Sequence, residues 1–316
     1  MRSNNCGTRR LLWIGALFLL AGLPASAQEP EINLNGVIDF HVHQGPDSGD
    51  KDDIDADDLA RLAKQMGERG FIMKNHWEST SSMVYIVRKE VPGIEIFGGI
   101  TQDLAVGGIN LAAVKEMASI AGHYGRVVWL PTYDSEISVR HADGKGQGPY
   151  VPIQKDGKLL PSVLDLFDYI AAHDLVLESG HISPVESLMI VPEAQKHGVK
   201  HIVLTHAMTG PGGGMTIPQM QQAAQEGALV EFVYGSTLGP GARYSVAKFA
   251  EAIKAIGPQH CIISTDLGGV TRNFPRPLPP QGMLDFMNAL HKEGISVADI
   301  NIMAKTNPAL ALGLNP

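Results

Sequence analysis

The sequence predicts an α/β fold, a single (β/α)8 (TIM) barrel with its active site at the carboxyl ends of the strands. Short apolar runs recur along the chain, and each run is followed by a stretch with helical patterning. The runs are continuous rather than alternating, which is typical of strands buried on both faces of a parallel sheet. Eight such units in roughly 280 residues match the usual length of this barrel.

The eight predicted strands are short apolar runs. They are GVIDF (36–40), GFIMK (70–74), IEIFGGI (94–100), GRVVWLPT (125–132), LVLES (175–179), KHIVLTH (200–206), ALVEFVYG (228–235) and HCIISTD (260–266). Four of the helical stretches end in glycine, as helices do at their C-caps, in the motifs ERG, KHG, QEG and AIG. No linker divides the chain, so we expect one barrel domain over residues 28–316.

The first 27 residues have the pattern of a signal peptide. Arg9 and Arg10 precede an apolar segment, 11–23, that is too short to span a bilayer comfortably, and a small-residue A-S-A motif ends at Ala27. We expect cleavage after Ala27 and a periplasmic or secreted bacterial protein without stable membrane insertion. An uncleaved membrane anchor is the alternative.

Net charge limits the classes of binding partner, and cysteine content limits the possible disulfides. The net charge of −8 and the lack of a Lys/Arg cluster predict no nucleic-acid partner. A small-molecule substrate is expected, and a homo-oligomer is left open. Cys6 leaves with the signal peptide, so the mature chain keeps only Cys261 and has no internal disulfide. Cys261 lies in an apolar run and is expected to be buried.

The longest gap between predicted strands, residues 133–160, is polar and rich in glycine and proline. It follows the fourth strand, so we expect an irregular loop, a lid or a binding loop, at the catalytic rim. Tyr133, Arg140 and His141 in this loop are candidates for contact with a substrate.

Metal-binding residue types gather at the ends of the predicted strands. Because these ends converge on one rim of a barrel, their side chains are expected to share one site. Imidazole and carboxylate groups are the ligands that Zn²⁺ and similar divalent ions take. The residues concerned are His41, His43, Lys74, His76, Glu178, His181, His206 and Asp266. We predict a site for one or two divalent ions, zinc being the first choice.

Two of these histidines, His41 and His43, are two residues apart, so they face the same side of a strand. Four other histidines serve as a comparison for the strand-end histidines. They fall at or near the ends of predicted helices, where a partly positive imidazole interacts favourably with the helix dipole. These are predicted to be structural: His123, His173, His197 and His291.

The combined pattern resembles the amidohydrolase superfamily of metal-dependent hydrolases. His-x-His on strand one, histidines after strands five and six, Asp on strand eight and the ending NPALALGL (307–314) carry the resemblance, which covers the mature chain. GFIMKNHWEST and VVWLPTYDSE look closest to an uncharacterised bacterial branch, a domain of unknown function. The resemblance implies that His41, His43 and Asp266 bind one metal and that His181 and His206 bind a second metal or the substrate.

The chain departs from this family pattern at strand four. Binuclear members carry a carboxylated lysine or a glutamate there, but VVWLPT offers no such ligand. Lys74 on strand two is the candidate substitute, because burial and nearby cations would lower its pKa and favour carbamate formation. A cationic Lys74 that binds a substrate carboxylate or phosphate is the equal alternative.

The remaining roles follow from the chemistry of each group. Asp266 is suited to bind the metal and to carry a proton from the attacking water to the leaving group, while His206 or His181 stabilises an oxyanion. His76 and Arg140 are candidates for substrate binding, although His76 is equally read as a hydrogen-bonding partner or an ordinary loop residue. Glu178 is either a partner that orients an imidazole or a residue buried towards the helices. Asp39 is expected to point out of the barrel.

The predicted function is a metal-dependent hydrolase acting on an amide, ester, lactone or phosphoester through a metal-activated water. No G-x-S-x-G elbow supports a serine nucleophile. Two alternatives stay open: a mononuclear decarboxylase or lyase of the same superfamily, and a periplasmic binding protein without turnover.

Overall fold

Eight parallel strands form a barrel in which neighbours in the sheet are also neighbours in the chain. The computed structural model describes residues 1–2, 31–48, 52–142, 147–240, 242, 244–269 and 274–316. The strands are β1 (Ile38–His43), β2 (Gly70–Lys74), β3 (Glu95–Thr101), β4 (Gly125–Trp129), β5 (Val176–Glu178), β6 (His201–Leu204), β7 (Leu229–Val233) and β8 (Cys261–Ser264). Each strand overlaps one predicted run, and the predicted (β/α)8 fold is confirmed.

The residues that follow β8 close the barrel against β1. The Asp266 N–H donates to the carbonyl of His41 at 2.9 Å, and the His43 N–H donates to the carbonyl of Leu267, also at 2.9 Å. The segment that carries Asp266 is therefore hydrogen-bonded directly to the strand that carries both histidines.

Helices alternate with the strands. They are α1 (Ala56–Met66), α2 (Ser81–Glu90), α3 (Leu111–Ser119), α4 (Glu136–Ala142), α5 (Pro161–Ala172), α6 (Pro184–Lys196), α7 (Ile217–Gln225), α8 (Val246–Ile256), α9 (Pro279–Lys292), α10 (Val297–Asn301) and α11 (Asn307–Ala311). Capping boxes at Ser183 and Thr216 begin α6 and α7, each with proline in the first turn, so local sequence sets these starts.

One predicted helix end is shifted. Helix α1 ends at Gly67, which has a φ of 90° and donates its N–H to the carbonyls of Ala63 and Lys64, rather than at the glycine of the ERG motif. That second glycine, Gly70, begins β2, where a Cβ atom would lie 1.8 Å from the carbonyl oxygen of Glu95. Gly67 therefore ends the helix, and Gly70 allows the close approach of β2 and β3.

Strand β1 contains a bulge that sets the direction of its histidines. Asp39 pairs with Phe71 and Val42 pairs with Met73, so two residues of β1 stand opposite one residue of β2. Phe71, Met73 and Val42 all pack in the cluster beneath the outer helices, so Asp39 lies on that outer face, as expected. Without the bulge, regular alternation would place Asp39 and His41 on the same face.

The barrel interior is apolar at its amino-terminal end and charged towards the rim. Helix α11 closes the apolar end, and its residues pack with inward-facing strand residues: Ile38, Phe40, Ile72, Val127, Trp129, Val176, Val203 and Ile262. Nearer the rim, the buried side chains of Lys74, Glu178 and Glu231 also face the interior. Glu178 pairs with Trp129 and Val203, and Glu231 pairs with Ile262, all of which belong to the interior layer. Such buried charges are costly unless they have partners.

The long segment after β4 is more ordered than an irregular loop. It contains α4 and a small antiparallel hairpin, Gln154–Lys155 with Lys158–Leu159. Helix α4 packs against the glycine-rich loop that follows β6: a Cβ atom on Gly212, whose φ is 72°, would lie 2.6 Å from Cδ1 of Ile137. Two loops thus meet at the carboxyl rim, and glycine at 212 permits the contact.

Residues Glu31–Pro316 form one compact unit. Apart from Met1 and Arg2, the predicted signal peptide lies outside the described residues, as does Cys6. No helix in the described part of the chain has the length and apolar character needed to cross a membrane. Cys261 is buried, as expected, and is a free thiol.

Candidate metal centre

Six of the predicted site residues line one cavity of about 450 Å³ at the carboxyl ends of the strands. His41 lies beneath them and is fully buried. The residues that line the cavity are His43, Lys74, His76, His181, His206 and Asp266. The structure therefore brings together side chains from β1, β2, β5, β6 and the end of β8, as convergence at a barrel rim requires.

Three of these residues have the arrangement of a metal-binding triad. Oδ1 of Asp266 lies 3.3 Å from Nε2 of His41 and 3.2 Å from Nε2 of His43. One ligand atom from each of the three residues lies within 4.8 Å of the others. Two ligands bound to zinc at about 2.0 Å in tetrahedral geometry stand about 3.3 Å apart. The residues present thus fit a divalent ion in donor type and in spacing.

The electrostatics of the site favour the ligand forms of Asp266 and His43. Burial would raise the pKa of Asp266, but the imidazoles of His41, His43 and His206 outweigh it and hold that pKa well below its usual range. Burial lowers the pKa of His43, only partly opposed by Asp266. An ionised carboxylate beside neutral imidazoles is the state that binds a metal ion.

His181 and His206 stand beside the triad. Their ring centroids are 4.9 Å apart, and the ring of His206 lies 5.7 Å from that of His41. Burial lowers the pKa of His181 well below its usual value and lowers that of His206 to about 4. Nδ1 of His206 is buried and has no hydrogen-bond partner among the described residues, so this atom is suited to a ligand that the protein itself does not provide.

The backbone at two site residues is strained. His206 has a φ of 27° and Asp266 a φ of 52°, values that are uncommon for residues other than glycine. Although His123, Asp156 and Asp174, which do not line the cavity, also have a positive φ, strain at His206 and Asp266 is of the kind that functional sites hold in place. In both residues it occurs just after a strand, where the chain turns onto the rim.

A buried glutamate, Glu231 of β7, completes the support of the triad. Its Oε2 accepts a hydrogen bond from Nδ1 of His41 at 3.2 Å and another from the N–H of His206 at 2.9 Å. Sequence reasoning missed this residue because it lies inside the apolar run ALVEFVYG. The sequence nevertheless contained a signal for Glu231, because an acidic residue within a buried strand requires a polar partner.

Lys74 reaches the underside of the triad. Its Nζ lies 3.0 Å from Nε2 of His41 and 5.8 Å from the centre of the Trp129 ring. Burial lowers the pKa of Lys74, an effect that the carboxylates of Asp266, Glu178 and Glu231 oppose. Lys74 thus faces the predicted metal site.

Glu178 faces the barrel interior rather than the outer helices. Its Oε2 accepts a hydrogen bond from the Thr205 hydroxyl at 2.7 Å. Burial raises the pKa of Glu178 well above its usual range, and the nearby Glu231 adds to the rise. No imidazole in the described part of the chain is hydrogen-bonded to Glu178. Neither predicted role, burial towards the helices or orientation of an imidazole, therefore describes its contacts.

His76 is held by a relay that sequence reasoning did not identify. Its Nδ1 lies 2.7 Å from the hydroxyl of Thr132, and this hydroxyl donates a very short hydrogen bond to Asp103. Because the hydroxyl proton is used towards Asp103, Nδ1 of His76 is the donor in the first bond, which leaves Nε2 as the acceptor. His76 also stacks on Tyr133, with ring centroids 4.1 Å apart. The pairing across β2, β3 and β4 could not be read from sequence spacing.

The loop candidates divide into two groups. Tyr133 and His141 line the cavity, and so does Arg276 from the segment before α9, which the sequence did not single out. Arg140 does not line it: its guanidinium is paired with Glu136 one helical turn away. Because α4 presents Arg140 to solvent, the structure does not bring this predicted substrate-binding residue to the site.

The comparison histidines stay away from the cavity. His123 and His173 each use Nδ1 on a carbonyl within their own segment, of Ala118 and Tyr169. His291 does the same with the carbonyl of Ile295, and His197 is paired with Asp168. Three are thus bound within their own segments at or just after helix ends, and His197 is bound to Asp168 of α5.

A family model described as a family of unknown function, DUF6282, matches residues 36–231, from β1 to β7. No protein in the curated set matches the chain.

Solved structures of two hydrolases and a metallopeptidase share the fold. The organophosphorus hydrolase from Deinococcus radiodurans is 14% identical, with a TM-score of 0.58 over 88% of this chain and 92% of its own. A structure described as organophosphate hydrolysis activity engineered from a weak promiscuous lactonase template has 14% identity and a TM-score of 0.59, covering 89% and 96%. The metallopeptidase dipeptidase AC has 13% identity and a TM-score of 0.59, covering 89% and 98%. These likenesses, at 13–14% identity, agree with the predicted (β/α)8 barrel fold.

Proposed function

Since this chain belongs to the DUF6282 family of unknown function, we propose its function from the site itself: a metal-dependent hydrolase that acts on an amide, ester, lactone or phosphoester of a small molecule. One observation carries the proposal. Nε2 of His41, Nε2 of His43 and Oδ1 of Asp266, from opposite ends of the chain, converge at the spacing of metal ligands beneath an open cavity.

His41, His43 and Asp266 would hold the ion, and His181 and His206 stand where they can bind a second ion or the substrate. When bound, a divalent ion would lower the pKa of a water molecule and polarise the bond to be cut. Zinc is the proposed ion because the donors are imidazole and carboxylate groups.

The chain's own residues provide proton transfer and charge stabilisation. The side chain of Asp266 is 28% exposed and lines the cavity, so its carboxylate can take the proton from the attacking water and give it to the leaving group. His181 and His206, neutral and adjacent, are placed to donate a hydrogen bond to a developing oxyanion. His76 presents an acceptor at Nε2 to a substrate N–H or O–H.

Lys74 is proposed to act at this site in one of two forms. Its buried amine, 3.0 Å from Nε2 of His41, can take up CO₂ at Nζ with release of one proton and serve as an anionic ligand. As a cation it would instead bind a carboxylate or phosphate of the substrate. ¹³C NMR with labelled bicarbonate separates the forms, since a carbamate signal that disappears in Lys74→Ala supports the first. Full metal content and full activity of Lys74→Ala would exclude both.

Elemental analysis of the purified protein, combined with anomalous scattering from crystals, tests the metal centre. We expect at least one divalent ion beside His41, His43 and Asp266. Activity is then tested on a panel of lactones, aryl esters, phosphotriesters and dipeptides, chosen because the similar structures include a lactonase template, an organophosphorus hydrolase and a dipeptidase. A metal-loaded protein that cuts none of these would favour a binding protein without turnover.

A mononuclear decarboxylase or lyase is the second candidate. Strand β4 ends at Trp129 and provides no bridging ligand, and His41, His43 and Asp266 are the single cluster of this kind among the described residues. One ion per chain, together with release of CO₂ from a carboxylate substrate and no hydrolysis of the panel, would select this candidate.

We further propose that the chain is exported and then cleaved after Ala27. The charged start, short apolar segment and small residues of the first 27 positions support this. N-terminal sequencing of the mature protein should begin at Gln28. Light scattering of the same sample would give the oligomeric state.

A further inference from the structure

We propose that Glu231 is a positioning residue of the metal centre: its one carboxylate selects the tautomer of His41 that binds metal and fixes the backbone that presents His206. This inference rests on the proposed metal-dependent function. Glu231 does not line the cavity and is not one of the three proposed metal ligands.

The hydrogen bond from His41 to Glu231 sets the orientation of the His41 ring. A carboxylate can only accept a hydrogen bond, so Nδ1 of His41 must be the donor in its 3.2 Å contact with Oε2 of Glu231. A neutral imidazole that carries its proton on Nδ1 has its lone pair on Nε2. Nε2 is the atom that lies 3.3 Å from Oδ1 of Asp266. Glu231 therefore makes His41 a ligand at the required nitrogen.

Glu231 also binds the backbone of His206. The same Oε2 accepts the N–H of His206 at 2.9 Å, at the residue whose φ of 27° departs from the ordinary regions. A charge-assisted hydrogen bond stabilises this strained conformation. One oxygen thus joins β1, β7 and the end of β6, and keeps the rings of His41 and His206 5.7 Å apart.

The barrel contains a matched comparison for Glu231. Glu178 is an equally buried glutamate on the inner face, and like Glu231 it lies close enough to Lys74 to affect the pKa of that lysine. Its carboxylate accepts from the hydroxyl of Thr205, not from a predicted metal ligand. If burial of an acidic side chain near Lys74 were all that mattered, substitution of either glutamate would have the same effect on the metal centre.

The experiment uses the full mature protein, stripped of metal with a chelator, in three forms: wild type, Glu231→Gln and Glu178→Gln. Calorimetric titration with Co²⁺ measures affinity, and the visible absorption of bound Co²⁺ reports ligand geometry. Circular dichroism and thermal unfolding without metal establish that each variant is folded. We expect Glu231→Gln to bind Co²⁺ about 10- to 100-fold more weakly with a changed spectrum. Glu178→Gln should remain within a few-fold of wild type with an unchanged spectrum.

A measurement on wild type covers the case in which Glu231→Gln does not fold. ¹⁵N NMR of the metal-free protein should show the His41 proton on Nδ1, and a proton on Nε2 would overturn the inference. Equal losses in both variants, or wild-type affinity and spectrum in Glu231→Gln, would overturn it as well. A wild type that binds no divalent ion would overturn the proposed function, and this inference with it.

Discussion

Two groups of histidines occupy opposite structural positions in this chain. His41, His43, His76, His181 and His206 lie in or just after strands, and their rings form a continuous cluster with neighbouring centroids 4.9–5.8 Å apart. His123, His173, His197 and His291 lie at or near helix ends, and each is bound to a nearby carbonyl or carboxylate. The residue type is the same, so topology makes the difference.

The difference shows how the position of a histidine in the barrel sets its surroundings. The end of a parallel strand points its side chains at a shared rim, where burial lowers the pKa values of His43, His76, His181 and His206. A helix end instead offers backbone carbonyls, and the Nδ1 atoms of His123, His173 and His291 bind such carbonyls. The following substitutions test this division, from the largest expected effect to the smallest.

Asp266→Asn should give the largest effect. The amide keeps the shape of the side chain but is a poor metal ligand and cannot take a proton, so we expect turnover to fall by about 10³-fold. Metal content, measured by elemental analysis, should fall as well. An Asp266→Asn protein with full metal content and undiminished turnover would remove Asp266 from both roles.

His206→Gln should change the pH dependence of stability in the metal-free protein. The pKa of His206 is lowered by burial to about 4, against an ordinary value of 6.5. Between pH 6.5 and pH 4 the unfolded chain binds a proton at this residue and the folded chain does not, so the wild-type free energy of unfolding falls as pH falls. Glutamine has no such proton.

Urea unfolding at several pH values, with a chelator present, measures this effect. Relative to His206→Gln, wild type should lose about 3 kcal/mol between pH 6.5 and pH 4. Differences between the two proteins that stay constant across this range would show that His206 takes up its proton equally in the folded and unfolded states.

Thr132→Val should weaken the relay beneath His76. The variant removes the hydroxyl that joins Nδ1 of His76 to Asp103 and leaves two buried polar groups without this partner. We expect a loss of about 2 kcal/mol in the free energy of unfolding, measured with urea. Thr132→Ser keeps the hydroxyl and is the matched control. Equal stability of the two variants would show that the relay adds nothing to the fold.

His173→Gln should have the smallest effect. His173 is exposed, donates Nδ1 to the carbonyl of Tyr169 and stacks on that ring. We expect unchanged metal content and turnover, and a change in the free energy of unfolding within about 0.5 kcal/mol. Loss of metal in this variant would contradict the division between strand-end and helix-end histidines.

Sequence reasoning succeeded where one local pattern determines structure. Each of the eight strands overlaps an apolar run, because strands buried on both faces must be apolar. The gathering of His43, His181, His206 and Asp266 followed from topology alone, since the carboxyl ends of barrel strands share one rim.

Sequence reasoning failed where hydrogen-bond partners come from different strands, and where the local structure of a loop sets the direction of a side chain. Glu231 was hidden inside an apolar run, and the relay from His76 through Thr132 to Asp103 depends on contacts between three strands. Arg140 was assigned by its position in a rim loop, but a helix there turns it to Glu136. The four-residue spacing of this pair was a visible hint, because such pairs face each other on helices.

The bulge in β1 divides one strand into two halves that are out of phase. Before it, the even-numbered Ile38 and Phe40 face the barrel; after it, the odd-numbered His43 does, opposite Lys74. The lower half packs in the apolar interior, and the upper half carries two residues of the proposed metal centre. One additional residue therefore allows a six-residue strand to direct apolar side chains and imidazoles into the same interior at two different heights.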